Sequence, residues 1–293
     1  MPLEMYVPRK FSAATLVFIE NANKIVDEYL AQGFTLTLRQ LYYQFVSRAL
    51  IPNTQKEYHR MSGIISNARL AGLIDWEAIE DRTRNVITQP HWDSPESIIR
   101  SAANCYKLDK WVGQEYRPEV WIEKDALVGV VEGVCEKFDV PLFSCRGYTS
   151  QSEMWSASKR FAGYVLDEQK PFIIHLGDHD PSGIDMTRDV TERSEMFLQM
   201  DAEEFELRRI ALNYDQVEQY KPPPNFAKLT DSRAEKYIDE FGMSSWELDA
   251  LEPSVLAKLV KETIEEFRDP EIWNKIVKRE EKDRRKIMKL SKL

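Results

Sequence analysis

Asp178 and Asp180 stand two residues apart at the end of an apolar run, within the stretch PFIIHLGDHDPSGID at 171–185. The run 172–176 reads as a buried strand, and on an extended chain the i, i+2 spacing puts both carboxylates on one face. That places them at the C-terminal end of the strand, where open parallel sheets bind their ligands. Two anions this close repel, so one stays protonated unless a cation neutralises the pair. A hard divalent ion meets that need. Mg2+ suits it, because it takes one or two carboxylates and leaves its other positions to water and phosphate. His175 and His179 flank the aspartates and suggest a zinc phosphatase, but such sites draw several histidines from separate loops, and the only others are His59 and His91.

A second reactive candidate lies in LRQLYYQF at 38–45. Leu38, Leu41, Tyr42, Phe45 and Ala49 recur at helical spacing and form one apolar stripe, which points Tyr42 to the core. Tyr43 is turned about 100° from it and shares the polar face with Arg39 and Ser47, each four residues away. The pattern predicts an exposed phenol beside a guanidinium. A tyrosine hydroxyl, with pKa near ~10, lies about 4 kcal/mol from ionised at neutral pH. A positive charge at Arg39 would narrow that gap and make the oxygen a better nucleophile.

The elements that must position these groups fall into two patterns. Ser12 caps a helix over 13–32 that stops at Gly33. Thr37 and Gln40 form a capping box for the second helix, and Thr54 with Glu57 starts a third that ends at Gly72. Two helices joined by a short turn, followed by 73–84, have the order of a winged helix-turn-helix. Arg60 and Arg69 on the third helix, and Arg82 and Arg84 where a wing would be, suit phosphate contacts or form a solvated face. Ser94-Pro95 opens a further helix. From Pro118 strands alternate with helices: strands over 120–122, 140–144, 172–176 and 208–212, with helices over 126–137, 150–167 and 184–197 between them. This order predicts an α/β fold with a mostly parallel sheet and helices on its faces. Glu123 and Asp178 then end neighbouring strands, close enough to share a metal. Asp185 reads as helix-face decoration, and Arg146 and Tyr148 follow the second strand.

With 293 residues, 43% hydrophobic and 30% charged, the chain can bury the cores of two domains. The net charge of -9 argues against coating nucleic acid with the whole surface and leaves local basic patches to do so. Cys105, Cys135 and Cys145 show no CxxC spacing, which points to neither a disulfide framework nor a zinc site. No long apolar segment suggests a leader or a membrane span, so a cytoplasmic location is expected. Pro222, Pro223 and Pro224 mark a rigid excursion. Glu247 and Asp249 are further acids with a weaker claim on the cleft. The tail 275–292 carries nine Lys/Arg against three acids and reads as a solvated helix or an arm gripping DNA phosphates.

VWIEKDAL, with Glu123 ending a first strand, and GDHDPSG ending a third resemble the Toprim domain, the metal-binding fold of topoisomerases, primases and certain nucleases. LRQLYYQF upstream resembles the catalytic segment of the topoisomerase VI A subunit and the related meiotic double-strand-break protein. The combination is closest to the reduced, mobile-element forms called mini-A, and the resemblance covers roughly 35–212. It implies a winged-helix DNA-binding domain over 1–116, a Toprim domain over 117–252 and a helical basic tail over 253–293. It further implies Tyr43 as the nucleophile with Arg39 one turn before it. Glu123, Asp178 and Asp180 would be the acidic triad for Mg2+ or Mn2+, with Glu123 as ligand or as acid/base. The implied partners are double-stranded DNA, a second copy of the chain and a separate ATPase subunit. In the family the tyrosine of one subunit meets the metal of the other. The sequence shows no ATPase domain and little ahead of Ser12 to dock one, so strand passage by this chain alone is not expected. Two other readings stand beside this one: a Toprim nuclease that uses water, and a winged-helix DNA-binding protein with a degenerate metal domain.

Overall fold

The computed structural model describes residues 3–80, 89–198, 205–227 and 231–290; Arg82 and Arg84 lie outside them. Three helices form the N-terminal lobe: α1 (Ala13–Leu30), α2 (Leu38–Ser47) and α3 (Gln55–Leu70). Each starts where the sequence supplies a cap. Ser12 Oγ accepts from Thr15 N, Thr37 and Gln40 complete a capping box, and Thr54 Oγ1 accepts from Glu57 N. Gly33, at φ 83°, provides the left-handed residue after α1. Phe18 stacks on Phe45 at 4.5 Å, and Ile25, Leu41, Met61 and Ile65 fill the space between the helices. Tyr42 points inward as predicted. Its hydroxyl accepts from Thr54 N at 2.8 Å and lies 3.0 Å from Asn53 Oδ1, which pins the α2–α3 turn.

Next come α4 (Pro95–Cys105), β1 (Tyr116–Ile122), α5 (Val128–Lys137), β2 (Leu142–Ser144), α6 (Gln151–Leu166), β3 (Lys170–Leu176), α7 (Pro181–Leu198) and β4 (Glu206–Ala211). The four strands form one sheet in the order β2-β1-β3-β4, parallel throughout. Alternation along β1 and β3 serves two cores. Val120, Ile122, Phe172 and Ile174 face α5 and the later helix α10 (Pro253–Phe267), while Trp121 and Ile173 face α6 and α7. The sheet is therefore covered on both sides, as its near-continuous apolar strands require.

Between β4 and α10 lie α8 (Tyr214–Tyr220), β5 (Asn225–Phe226), α9 (Ala234–Phe241) and β6 (Ser244–Ser245). β5 and β6 pair antiparallel, and a single antiparallel bridge between His179 and Trp246 carries the segment after β6 across the C-terminal edge of the sheet. The last helix, α11 (Pro270–Leu290), docks on α4. Glu280, buried on α11, takes Lys110 Nζ at 3.0 Å, Arg284 Nη2 at 2.8 Å and Leu108 N at 2.8 Å. The described part of the basic tail is thus a helix docked by one face, with most of its Lys and Arg side chains exposed. Among the described residues no helix is long and apolar enough to cross a membrane.

Several boundaries differ from the sequence pattern, among them the start of β1 at Tyr116 rather than 120, and two of the shifts have clear local reasons. α7 begins at Pro181 rather than 184, because Asp180 Oδ1 accepts from Gly183 N at 2.6 Å and turns Pro-Ser-Gly into the first helical turn. β2 begins at Leu142 rather than 140, because Val140 N is taken by Cys135 O at the end of α5.

Gly183 has no room for a side chain: a Cβ there would meet Asp178 O at 2.2 Å. Gly183→Ala is expected to lower stability by about 1–3 kcal/mol or more, measured by urea unfolding. A neutral result would mean that the 178–183 turn is softer than this contact requires.

Candidate active-site cleft

The register of β1 on β3 pairs Ile122 with Leu176, so the next residues, Glu123 and Gly177, leave the sheet side by side. Glu123 N donates to Leu176 O at 2.9 Å, and its Oε2 accepts from Asp178 N at 2.7 Å. Gly177 permits this approach, since a Cβ there would lie 3.0 Å from Glu123 Oε2. Asp178 Oδ1 accepts from Leu248 N at 2.7 Å, and Asp180 Oδ1 from Gly183 N. Each of the three predicted acids thus spends one oxygen on a backbone N–H. All three line one cleft of about 1140 Å3.

The bridge of His179 to Trp246 keeps 178–180 extended, so the two aspartates flank a histidine pointing the other way. His179 Nδ1 pairs with Tyr237 Oη at 2.8 Å, and its ring sits against Phe241 and Trp246. Burial, helped by Arg209, pushes its pKa down to about 4. His175 is likewise buried, bonded to Thr187 Oγ1 at 3.0 Å and pushed down to about 3. Both histidines are neutral packing groups, and neither lines the cleft.

Three cations hold the acids. Lys124 Nζ lies 2.9 Å from Asp178 Oδ1, 2.8 Å from Glu247 Oε2 and 2.6 Å from Asp249 Oδ1. Arg39, on α2, reaches across to Glu247 Oε2 at 2.6 Å and Asp249 Oδ2 at 3.2 Å. Arg209, on β4, donates to the carbonyls of Gly177, Asp178 and Gly183 behind the acids. Burial lowers its pKa to about 10, so it stays charged at neutral pH. Five carboxylates (Glu123, Asp178, Asp180, Glu247 and Asp249) therefore meet three fixed cations, a formal excess of two negative charges.

The ionisation of the cluster follows from this balance. Burial raises the pKa of Asp178, and Glu123 and Asp249 add to it. Glu123 is raised mainly by burial. Burial works against the charge on Lys124, yet Asp249, Asp178 and Glu247 hold its pKa well above the usual lysine value. Burial also opposes the charge on Glu247, but Lys124 and Arg39 overcome it and hold the carboxyl well below its ordinary value.

Tyr43 requires a correction. The helical pattern predicted an exposed phenol, and the structure buries it to 3% exposure. The face it occupies is polar, but the segment around 246–250 from the second lobe packs on α2 and covers it. Asn225 Nδ2 lies 3.5 Å from Tyr43 Oη and also donates to Glu247 Oε1 at 3.2 Å. Arg39 sits 5.9 Å from the Tyr43 ring centroid. Its charge does lower the phenol's pKa, but burial, Glu247 and Asp249 outweigh it, so the net shift is upward. The predicted lowering by Arg39 is therefore present but outweighed, and the same guanidinium also pairs with Glu247 and Asp249. Tyr43 and Arg39 nonetheless line the same cleft as the three acids, within one chain.

Of the four predicted DNA-contacting arginines, Arg60 and Arg69 lie among the described residues. Arg60 is exposed, paired with Glu57 at 2.6 Å and 5.0 Å from the Phe18 ring centroid. Arg69 donates to Trp76 O and stacks on that indole at 4.6 Å, which fixes its own lobe.

Among the described residues no three His, Cys, Asp or Glu side chains already form a metal-holding group, which accords with Lys124 standing among the carboxylates. The donor set itself fits Mg2+: the clustered acids offer hard oxygens in negative excess, and although His59 lines the helical-lobe side of the cleft, no cysteine does. Lys124 and Arg209 did not emerge from the sequence, and Glu247 and Asp249 emerged only weakly. The signal for the latter pair was present: Glu-Leu-Asp at 247–249 repeats the i, i+2 acid spacing of 178–180, with Leu248 fully buried between them. Comparison with protein-family models, curated proteins and solved structures finds no match to this chain.

Since its folded pKa is depressed, Glu247 contributes stability above its unfolded value near ~4.3 and loses it as pH falls through the lower folded value. Glu247→Gln is expected to cost roughly 1.5–3 kcal/mol at pH 7, with the difference from wild type shrinking as pH drops below 4. Urea unfolding across that range measures it, and a difference independent of pH would contradict the assignment.

Proposed function

We propose that the chain cleaves DNA strands in a Mg2+-dependent reaction at this cleft, as a reduced relative of the topoisomerase VI A subunit, with the helical lobe as a winged helix and the sheet lobe as a Toprim domain. The observation that carries the reading is the convergence of Tyr43 and Arg39 with Glu123, Asp178 and Asp180 on one cleft of about 1140 Å3. These residues come from lobes more than 70 positions apart in the chain, and the resemblance picks out the same five.

Glu123, Asp178 and Asp180 would hold the ion, which when bound polarises the scissile phosphate as a Lewis acid. Tyr43 Oη attacks phosphorus in line. The O–P bond forms as the phenolic proton passes to solvent water, and the bond to the departing sugar oxygen breaks. That oxygen takes a proton from water, or from Glu123 acting as the acid, and becomes a free hydroxyl, while the other DNA end stays on Tyr43. The phosphotyrosyl ester conserves the phosphodiester bond, so reversal can reseal the strand. Arg39 faces both the phenol and the acids, so once released from Glu247 and Asp249 it can accompany the phosphate with a fixed charge. One cleft cuts one strand, and a double-strand break therefore takes two chains related by a twofold axis. A separate ATPase subunit would be needed for strand passage.

The burial of Tyr43 favours one competing reading. In this arrangement the phenol is covered and its ionisation suppressed, whereas Glu123 and Asp180 stay partly exposed. A Toprim nuclease that hydrolyses phosphodiesters would use the same acids and leave Tyr43 as a packing residue. Denaturing electrophoresis of labelled duplex DNA incubated with the protein and Mg2+ separates the two. The proposal expects a covalent protein–DNA adduct that Tyr43→Phe abolishes and Asp178→Asn reduces at least about a hundredfold. Cleavage that survives Tyr43→Phe without any adduct would establish hydrolysis instead, and binding without cleavage would sink both.

A further inference from the structure

Among the described residues Lys124 is the one ammonium inserted among the carboxylates, and no role for it follows from the proposed chemistry. It directly follows Glu123 at the end of β1, so the strand that delivers one acid also delivers a cation to the others. Its Nζ stands within 2.6–2.9 Å of Asp178, Glu247 and Asp249 at once. Of these, Asp249 is 2% exposed, and an isolated carboxylate at such a depth would be costly without a neutralising partner. Asp178 is the residue common to the predicted metal triad and to the lysine's own set. An ion held by Asp178 and the ammonium therefore draw on the same carboxylate and repel each other at contact distance.

We propose that Lys124 is a tethered counter-ion: it keeps the acids of the cleft assembled, and a divalent cation must compete with it for Asp178. This rests on the reading of the cleft as a metal site, though not on any cleavage chemistry. A lysine suits the task better than an arginine would. Its charge is compact and rides on a flexible stem, so it can withdraw toward Glu247 and Asp249 without leaving the cleft. The tether sets a threshold for metal binding, because affinity is reduced by the free energy needed to loosen the ammonium from Asp178.

The test is Mn2+ binding, followed by the electron-paramagnetic-resonance signal of the free ion, on the full chain without DNA. Lys124→Met is expected to bind Mn2+ at least about tenfold more tightly than wild type. Lys124→Arg, which retains the charge, should stay near wild type, and Asp178→Asn added to Lys124→Met should erase the gain. Thermal unfolding in EDTA should show Lys124→Met melting below wild type and recovering more than wild type on addition of Mg2+. Should Lys124→Met fail to fold, Lys124→Gln carries the same comparison, since it removes the charge but keeps a donor for two carboxylates. Equal or weaker Mn2+ binding by the uncharged variants, including no binding by any of them, would overturn the role. A gain in Mn2+ affinity in a protein that neither forms an adduct with DNA nor cleaves it would sink the cleavage reading and leave the tether standing.

Discussion

Five carboxylates and three cations at the C-terminal edge of β1 and β3 are the constraint that the rest of the fold must satisfy. Carboxylates packed this closely do not stay together unless charge and hydrogen bonds hold them. Three devices do so. Backbone N–H groups fix one oxygen each of Glu123, Asp178 and Asp180. Arg209 spends its guanidinium on the carbonyls behind them. Lys124 and Arg39 neutralise Glu247 and Asp249 in front. The parallel register, the glycines at 177 and 183 and the segment after β6 all serve this arrangement, and the two lobes meet where it lies.

Much of the frame was legible in the sequence because it is written in local rules. Caps at Ser12, Thr37, Thr54 and Ser150 set helix starts, and the alternation of apolar strands with amphipathic helices foretold a parallel sheet covered on both faces. The i, i+2 spacing placed Asp178 and Asp180 on one side, with His179 turned away to the aromatic cluster. What the sequence could not display was contact between segments distant in the chain. Helical periodicity showed that Tyr43 is off its own lobe's apolar stripe, but could not show that residues two hundred positions later cover it. Lys124 hid for a similar reason: beside Glu123 it reads as an ordinary surface lysine until 247–249 is laid across the sheet edge.

The covering of Tyr43 bears on how the proposed chemistry would be controlled. In the closed arrangement the phenol is buried, faces Glu247 and Asp249, and is held further from ionisation than a free tyrosine. The guanidinium that could counter this is committed to those same acids. A chain in this state would be protected from forming a covalent link with DNA at random. Under the proposed chemistry, activation would require the Arg39 contacts to give way, whether to a phosphate, to a second chain or to a cation that takes up the negative charge. In the resembled family the reacting groups belong to different subunits. Parting of the lobes along the Arg39 contacts would free Tyr43 for a partner while leaving each set of acids intact.

The ionic tie between the lobes is the claim on which all of this stands, and a double-mutant cycle measures it without assuming any activity. Unfolding free energies of wild type, Arg39→Met, Glu247→Gln and the double variant give the coupling between α2 and the acidic cluster. A coupling of about 1 kcal/mol or more is the expected result. Effects that add to within about 0.5 kcal/mol would contradict the account, since Tyr43 would then be buried without being held by the charges that line its cleft.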